Sequence, residues 1–488
     1  MSVISEPVTR VRAVGPIAPA AERRRWIALV FIALAQLMVV LDTTIVSIAL
    51  PSAQASLGIP CADRQWVITA YTLAFGGLLL IGGRIADYTG RKRAFLIGLI
   101  GFAAASAVGG AAVDPAMLIG ARAVQGAFGA LLAPTVLSLL TVTFSEPRER
   151  ARAFAVFGAV ASAGGALGLI FGGVLTEYLS WRWCLYVNAP IALVVAIGGA
   201  AVLPAVRSAG RPRLDVPGAM LAAGGLLTLV LAVSEAASRG WTSTAVIGLL
   251  VTSGVLLTVF AWVQRRAAAP LLPLRIVLDR NRGGAYLAVA FAVAGMYGLF
   301  LFLTFYLQVV RHYSPIGAGL AFLPLSAAIL VSSTLIAGRL SPLVPPRALL
   351  VPGLALGVAA MLVLTRLTVT GGFASHVLPA ELLLGLGMGG VFGTAFNTGT
   401  QRVAPRDAGV ASAVINTSQQ VGGSIGTALL NTVAASATAG YLAAHRHAVT
   451  VALVHGYAVA AAVAAGLLGM AVLASAVLIN ARKQEANR

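Results

Sequence analysis

Fourteen long apolar runs follow one another along this chain, at 26–50, 66–83, 94–113, 116–140, 152–175, 181–203, 215–235, 243–263, 284–308, 315–337, 347–365, 377–400, 409–433 and 453–480, separated by short polar or Gly/Pro-containing segments. A helix needs about 20 apolar residues to cross the hydrocarbon core of a bilayer, so each run is an expected span. Backbone polar groups find no water at that depth, which leaves helices or closed barrels as the spanning structures. The runs lack the alternation of barrel strands and are rich in Gly, Ala and Leu, as in helices that pack closely in lipid. Of the 488 residues 59% are hydrophobic and 10% charged, against about 25% charged in a soluble domain. Soluble, disordered and coiled-coil folds are thereby excluded, and the expected fold is an all-α polytopic membrane protein.

The first run follows Arg23, Arg24 and Arg25. At 25 residues, with Asp42 inside it, it is too long for a secretory h-region of about 7–15 residues, so it reads as a span that stays in the protein. The weakest boundaries are around 243–263 and at Asp114-Pro115, where two residues separate the third and fourth spans. Cys61 and Cys184 form no CxxC pair, and His445 and His447 flank Arg446 in an outer loop. Neither pattern implies a disulfide framework or a metal site, and no cofactor is expected.

The net charge of +19 reports orientation. An even number of spans puts both termini on one side, and 27 of the 34 Lys/Arg fall in the tails and loops of that side. Six lie on the other side (Arg64, Arg182, Arg239, Arg311, Arg366, Arg446), and Arg122 lies inside a span. By the positive-inside rule both termini are expected in the cytoplasm, and the basic balance calls for no nucleic-acid partner. Arg182, between Trp181 and Trp183, is expected to be an interfacial anchor.

The loop after the second span, Gly82-Gly83-Arg84-Ile85-Ala86-Asp87-Tyr88-Thr89-Gly90-Arg91-Lys92-Arg93, has a worn second copy after the tenth, which starts Gly338-Arg339 and ends at Arg347, offset by 255 residues. The copies sit eight spans apart. Two six-helix halves with two helices inserted between them account for that spacing, and duplicated bundles around a midplane site are the usual plan of secondary transporters. The expected divisions are a tail at 1–25, a six-helix bundle at 26–203, a linker with two extra helices at 204–283, a second bundle at 284–480 and a tail at 481–488.

Gly83, Asp87, Gly90, Arg91 and Lys92 match G-x-x-x-D-[RK]-x-G-[RK]-[RK], with Tyr88 in place of the basic residue. This resembles the signature loop of the major facilitator superfamily. Fourteen spans, the segment Leu41-Asp42-Thr43-Thr44, Arg122-Ala123-Val124-Gln125-Gly126 and the polar run from Asn416 to Gly423 look like its fourteen-helix drug:proton antiporter branch, the EmrB/QacA subfamily. The fifth span is similar to the antiporter motif G-x-x-x-G-P-x-x-G-G at Gly164, Gly168, Gly172 and Gly173, with Leu169 where the proline is expected. The resemblance implies the major facilitator fold and a carrier that works as a monomer in a bacterial cytoplasmic membrane, exchanging protons for a small hydrophobic or cationic drug-like substrate.

Ionisable residues inside a span cost at least about 2.5–3.5 kcal/mol and usually mark a functional path or a pair. Asp42 and Arg122 are the foremost such residues. The resemblance makes the first and fourth helices neighbours, so the two can meet across a cavity, either as a proton-coupling switch or as a permanent pair that locks the helices. Glu235 ends the seventh span and Glu381 opens the twelfth after Pro379; both are expected at the outer interface, as candidate contacts for substrate or protons. In the signature loop Asp87 is expected to act as a conformational latch across the halves, with Arg91, Lys92 and Arg93 on the cytoplasmic face. The recurrence of glycine every four residues from Gly164 to Gly172 gives a flat strip for close helix packing.

No Walker P-loop appears, so a nucleotide is not the direct energy source. A charge crossing about 100 mV is worth about 2.3 kcal/mol. With about 1.4 kcal/mol per factor of ten, one proton can sustain a gradient of roughly forty- to fifty-fold. Three functions compete: a drug:proton antiporter, an uptake or metabolite symporter, and a membrane-embedded enzyme or sensor. The antiporter-like fifth span favours the first, and the missing clusters of His/Asp/Glu at membrane depth count against the last.

Overall fold

The computed structural model describes residues 19–61, 63–144, 146–204, 215–267, 270–341, 343–401, 403, 408–445 and 448–480. Among them run fourteen long helices and no strand: α1 Pro19–Leu57, α2 Trp66–Thr89, α3 Arg91–Gly110, α4 Pro115–Thr143, α5 Pro147–Tyr178, α6 Trp183–Val202, α7 Val216–Arg239, α8 Thr244–Arg266, α9 Arg280–Val310, α10 Pro315–Leu340, α11 Pro346–Leu364, α12 Phe373–Thr400, α13 Ala408–Ala444 and α14 Val449–Leu478. By length and composition eleven of them are apolar enough to cross a membrane; α2, α5 and α13 pass through residues whose side chains lie outside the described set.

Local signals set the boundaries. Asp114 divides α3 from α4 because its carboxylate accepts the N–H of Met117 at 2.8 Å while Pro115 occupies the first helical position, a strong helix start. Asp279 caps α9 in the same way, accepting the N–H of Arg282 at 3.0 Å. Gly90, at φ +92°, turns the chain between α2 and α3 in a conformation that favours glycine. Three π-helical stretches interrupt the rods, Tyr306–Val310 in α9, Ser332–Ala337 in α10 and Phe373–Val377 in α12.

The helices pack as two groups. In the first, α1 lies on α5 and α6, α2 on α4, and α3 on α4 and α6; in the second, α9 lies on α13 and α14, α11 on α12 and α14, and α10 on α12. The inserted helices α7 and α8 pair with each other, and α7 touches both α2 and α13. Ile197, Val251, Val255, Leu473 and Val477 project outward from the bundle as the lipid-facing surface.

The described ends of the chain share one face. Basic side chains cap helix C-termini there: Arg24 Nη2 donates to the carbonyl of Ala201 at 3.1 Å, Lys92 Nζ to that of Ala200 at 2.6 Å and Arg280 Nη2 to that of Val477 at 2.6 Å. These pairings complement the negative ends of α6 and α14. On the opposite face Arg182 lies over the Trp181 ring and donates to the carbonyls of Gly110 and Ala112 at 3.2 and 2.7 Å, closing α3.

The two groups meet near that opposite face. Arg64 Nε donates to Asn431 Oδ1 at 3.1 Å, Asn431 donates to Gln65, Gln308 Nε2 donates to the Ile48 carbonyl at 3.0 Å, and the Ile316 N–H donates to Glu177 at 2.9 Å. Deeper in the seam the hydroxyls of Thr72 and Ser424 share a hydrogen bond of 2.7 Å. Arg64 is buried, with its guanidinium 4.0 Å from the centre of the Phe305 ring.

The glycines of α5 make the closest approach to α1. A Cβ at Gly168 would strike the Thr44 hydroxyl, and one at Gly172 would lie 2.9 Å from the Ile45 carbonyl. The replacement Gly168→Val is expected to destabilise the α1–α5 seam by roughly 1–3 kcal/mol, the usual cost of overpacking. Thermal unfolding in detergent checks this, and an unchanged transition would contradict the seam as described.

Candidate functional site

Asp42 lies in the middle of α1 with no solvent exposure, and Arg122 of α4 is buried beside it. The guanidinium Nη1 donates to Asp42 Oδ2 at 2.6 Å. The other carboxylate oxygen, Oδ1, accepts from Gln125 Nε2 and from Asn188 Nδ2, each at 2.8 Å. Arg122 also donates to Gln125 Oε1 at 2.7 Å and to the Val67 carbonyl at 3.2 Å, and it stacks 4.3 Å from the centre of the Tyr71 ring. Asn188 Nδ2 donates to Ser106 Oγ at 2.9 Å, and that hydroxyl donates to the Leu185 carbonyl at 2.8 Å.

Five helices, α1, α2, α3, α4 and α6, thus converge on one carboxylate. Helical spacing does part of the work: Arg122 and Gln125 are three residues apart and share the face of α4 turned to α1. Both oxygens of Asp42 are occupied by three donors, the arrangement that allows a charge to persist away from water. Two polar atoms here have no partner, Asn188 Oδ1 and the Tyr71 hydroxyl.

Asp42 and Arg122 are therefore in direct contact. Gln125, Asn188, Ser106 and Tyr71 complete the cluster. Gln125 stands in the Arg122–Gly126 motif, a polar amide one turn from a span arginine. Asn188 lies inside the sixth apolar run, 181–203, where a single amide does not announce its partner.

The glycine strip divides between two partners. Gly164, Gly168 and Gly172 lie on α1, and Gly173 lies against Pro315 and Ile316 of α10. Leu169, in the motif proline's position, is buried, and its carbonyl lies against Gly319. In the signature loop Gly83 lies near Pro134, Gly90 makes the turn, and Arg91 starts α3. Lys92 caps α6 of its own group. The side chain of Asp87 lies outside the described residues, as do Arg446 and His447. Glu235 is partly exposed and pairs with Arg239 at 2.7 Å, one turn along α7.

Glu381 is fully buried in the protein; the α-helical part of α12 runs Leu378–Thr400 with Pro379 in its first turn, and the π-helical turn Phe373–Val377 precedes it. Among the described residues no group of three or more His, Cys, Asp or Glu is arranged to hold a metal ion.

The family model of the Major Facilitator Superfamily matches residues 32–427. The chain is 52% identical over 487 residues to the puromycin resistance protein pur8 of Streptomyces alboniger, covering 99% of this chain and 95% of that one. It is 43% identical over 417 residues to the cephamycin export protein CmcT of Amycolatopsis lactamdurans, covering 85% and 86%. Among solved structures it is similar to a bacterial homologue of the human lysosomal transporter Spinster in an inward-facing, occupied conformation, with a TM-score of 0.69 at 15% identity over 95% of this chain and 97% of that one.

Removing one member of a buried pair leaves the other uncompensated, at a cost of about 3–5 kcal/mol. Arg122→Leu is thus expected to lower the unfolding temperature markedly, and Asp42→Asn combined with Arg122→Leu to restore part of the loss. A double variant no more stable than Arg122→Leu alone would show that the charge on Asp42 is not what Arg122 compensates.

Proposed function

Since the chain belongs to the major facilitator superfamily, we propose that it is a proton-coupled exporter of antibiotic-like small molecules, working by alternating access in a bacterial cytoplasmic membrane. Similarity along nearly the whole chain to a puromycin resistance protein supports the export of drugs and makes puromycin the first compound to try. Similarity to a cephamycin export protein supports the same direction of transport. The excess of Lys/Arg on the terminal side supports cytoplasmic termini, in which case the hydrogen-bonded seam around Arg64 and Asn431 closes the outer face.

The observation that carries the coupling is the Asp42–Arg122 contact. While Asp42 is ionised it holds Arg122, Gln125 and Asn188, and so ties α1 to α4 and α6. A proton on the carboxylate removes the ion pair and turns one acceptor oxygen into a donor, and the same helices are then held less firmly. Exchange of proton for substrate at this point converts a protonation into a change of helix packing, which alternating access requires. The signature loop, with Gly83, Asp87, Gly90, Arg91 and Lys92, serves as the latch of the cytoplasmic face. Gly173 rides on the seam between the halves.

The test is puromycin transport into inverted membrane vesicles energised with a proton gradient. Wild type is expected to concentrate the drug, up to roughly forty- to fifty-fold for one proton across about 100 mV. Asp42→Asn is expected to bring the ratio back to near one. Proton-driven accumulation that survives Asp42→Asn would remove Asp42 from the coupling. Greater puromycin content in intact cells that produce the protein would reverse the direction and favour uptake.

A further inference from the structure

The second half holds an acid that the Asp42 cluster does not use. Glu381 has no solvent exposure, and both its carboxyl oxygens lack a hydrogen-bond partner. It sits on the face of α12 that meets α10: four residues on, Gly385 packs within 2.6 Å of the Leu325 carbonyl when a Cβ is placed on it. The backbone of Leu325 is the polar group beside Glu381.

Its depth matches that of the first site. In the first half Gly82 of α2 lies against Ala130 of α4, and in the second half Ala337 of α10, 255 positions on, lies against Gly390 of α12. Glu381 precedes Gly390 by nine residues, as Ala121 precedes Ala130. In this register Glu381 falls next to the counterpart of Arg122, on the equivalent helix of the other half.

The charged or titratable groups on the surrounding helices are engaged elsewhere. On α9 the Tyr306 hydroxyl donates to the Thr368 carbonyl and that of Tyr286 to Gly399, and Arg311 just beyond donates to Val369. Tyr297 faces Gly423 of α13. Arg339 of α10 and Arg347 of α11 stand at the terminal face. Tyr441 of α13 stacks on His445 at the opposite end, and His376, on the first turn of α12, pairs with Ser375. A carboxylate at Glu381 would have no cation to hold it and only the Leu325 backbone beside it as a donor, whereas a neutral acid costs far less to bury.

We propose that Glu381 is a second proton-binding site, so that the carrier holds one acid in each half: Asp42, paired with Arg122 and fully hydrogen-bonded, and Glu381, protonated and without a charged partner in the conformation closed on the face opposite the termini. The step is a simple protonation in which the carboxylate gains one proton when reachable from one side of the membrane and returns it on the other. The π-helical stretches Ser332–Ala337 and Phe373–Val377 lie on the two helices that enclose it. Such irregular turns are frequent where helices rearrange at functional sites, and they give α10 and α12 a place to part.

This rests on the proton-coupled reading above, and the experiment separates the two. Full-length protein is reconstituted in liposomes with a trapped pH-sensitive dye, a puromycin gradient is imposed, and protons moved per puromycin are counted. Wild type is expected to move two and Glu381→Gln, which mimics the neutral acid, to move one while still transporting puromycin downhill. An unchanged ratio in Glu381→Gln overturns the second site. If wild type itself moves no protons, the coupled reading fails before any substitution is compared. Should Glu381→Gln not fold, dicyclohexylcarbodiimide labelling of wild type decides, since this reagent modifies protonated, membrane-buried carboxyls. An adduct at Glu381 that declines as pH is raised is expected; no adduct, or one indifferent to pH, overturns the proposal.

Discussion

Charge is costly in the middle of a bilayer, and the first half of this protein spends its polar side chains on making one charge tolerable there. Asp42 cannot sit in lipid alone, so α4 supplies Arg122 and Gln125, α6 supplies Asn188, and α3 supports Asn188 through Ser106. The guanidinium in turn needs the Val67 carbonyl and the Tyr71 ring of α2. Each demand fixes the position of one more helix. The apolar surfaces of those helices are interchangeable in chemistry, and it is the polar centre that makes their arrangement specific.

The second half is built on other terms. It has no buried ion pair of this kind among the described residues, and its helices come together through small residues and backbone, as where Gly389 lies against the Ile329 carbonyl. Three of its helices contain π-helical stretches, while the described helices of the first half contain none. One half is thus joined at its centre by a polar cluster, and the other by backbone and small residues with irregular turns along its helices. Hydrogen bonds from Arg64, Gln308 and Ile316 join the two.

Much of this was legible in the sequence because lipid simplifies the code. Long apolar runs mark helices whatever their neighbours, while the division at Asp114-Pro115, only two residues long in the sequence, became firm through the cap that Asp114 forms. The meeting of Asp42 with Arg122 could be expected from the cost of leaving either unpaired together with the family resemblance. Asn188 and Ser106 could not, since a lone amide and a lone hydroxyl inside apolar runs give no sign of their partners until the helices are assembled. Nothing local announced the burial of Glu381 or the π-helical turn that precedes Pro379. The basic residues carried more than orientation, for Arg24, Lys92 and Arg280 also cap helix ends that lie far away in the chain.

The inserted helix α7 is held by both halves. Gln65 of the first half donates to Ser234 at 2.7 Å, Thr432 of the second donates to the Val233 carbonyl at 3.0 Å, and Val230 and Val233 pack with Leu73 and Ala428 from the two sides. Were the halves to part at that face, as the proposed alternating access requires, α7 could not keep both attachments: it would travel with one half and slip along the other, and the insertion would serve as a bearing surface between them.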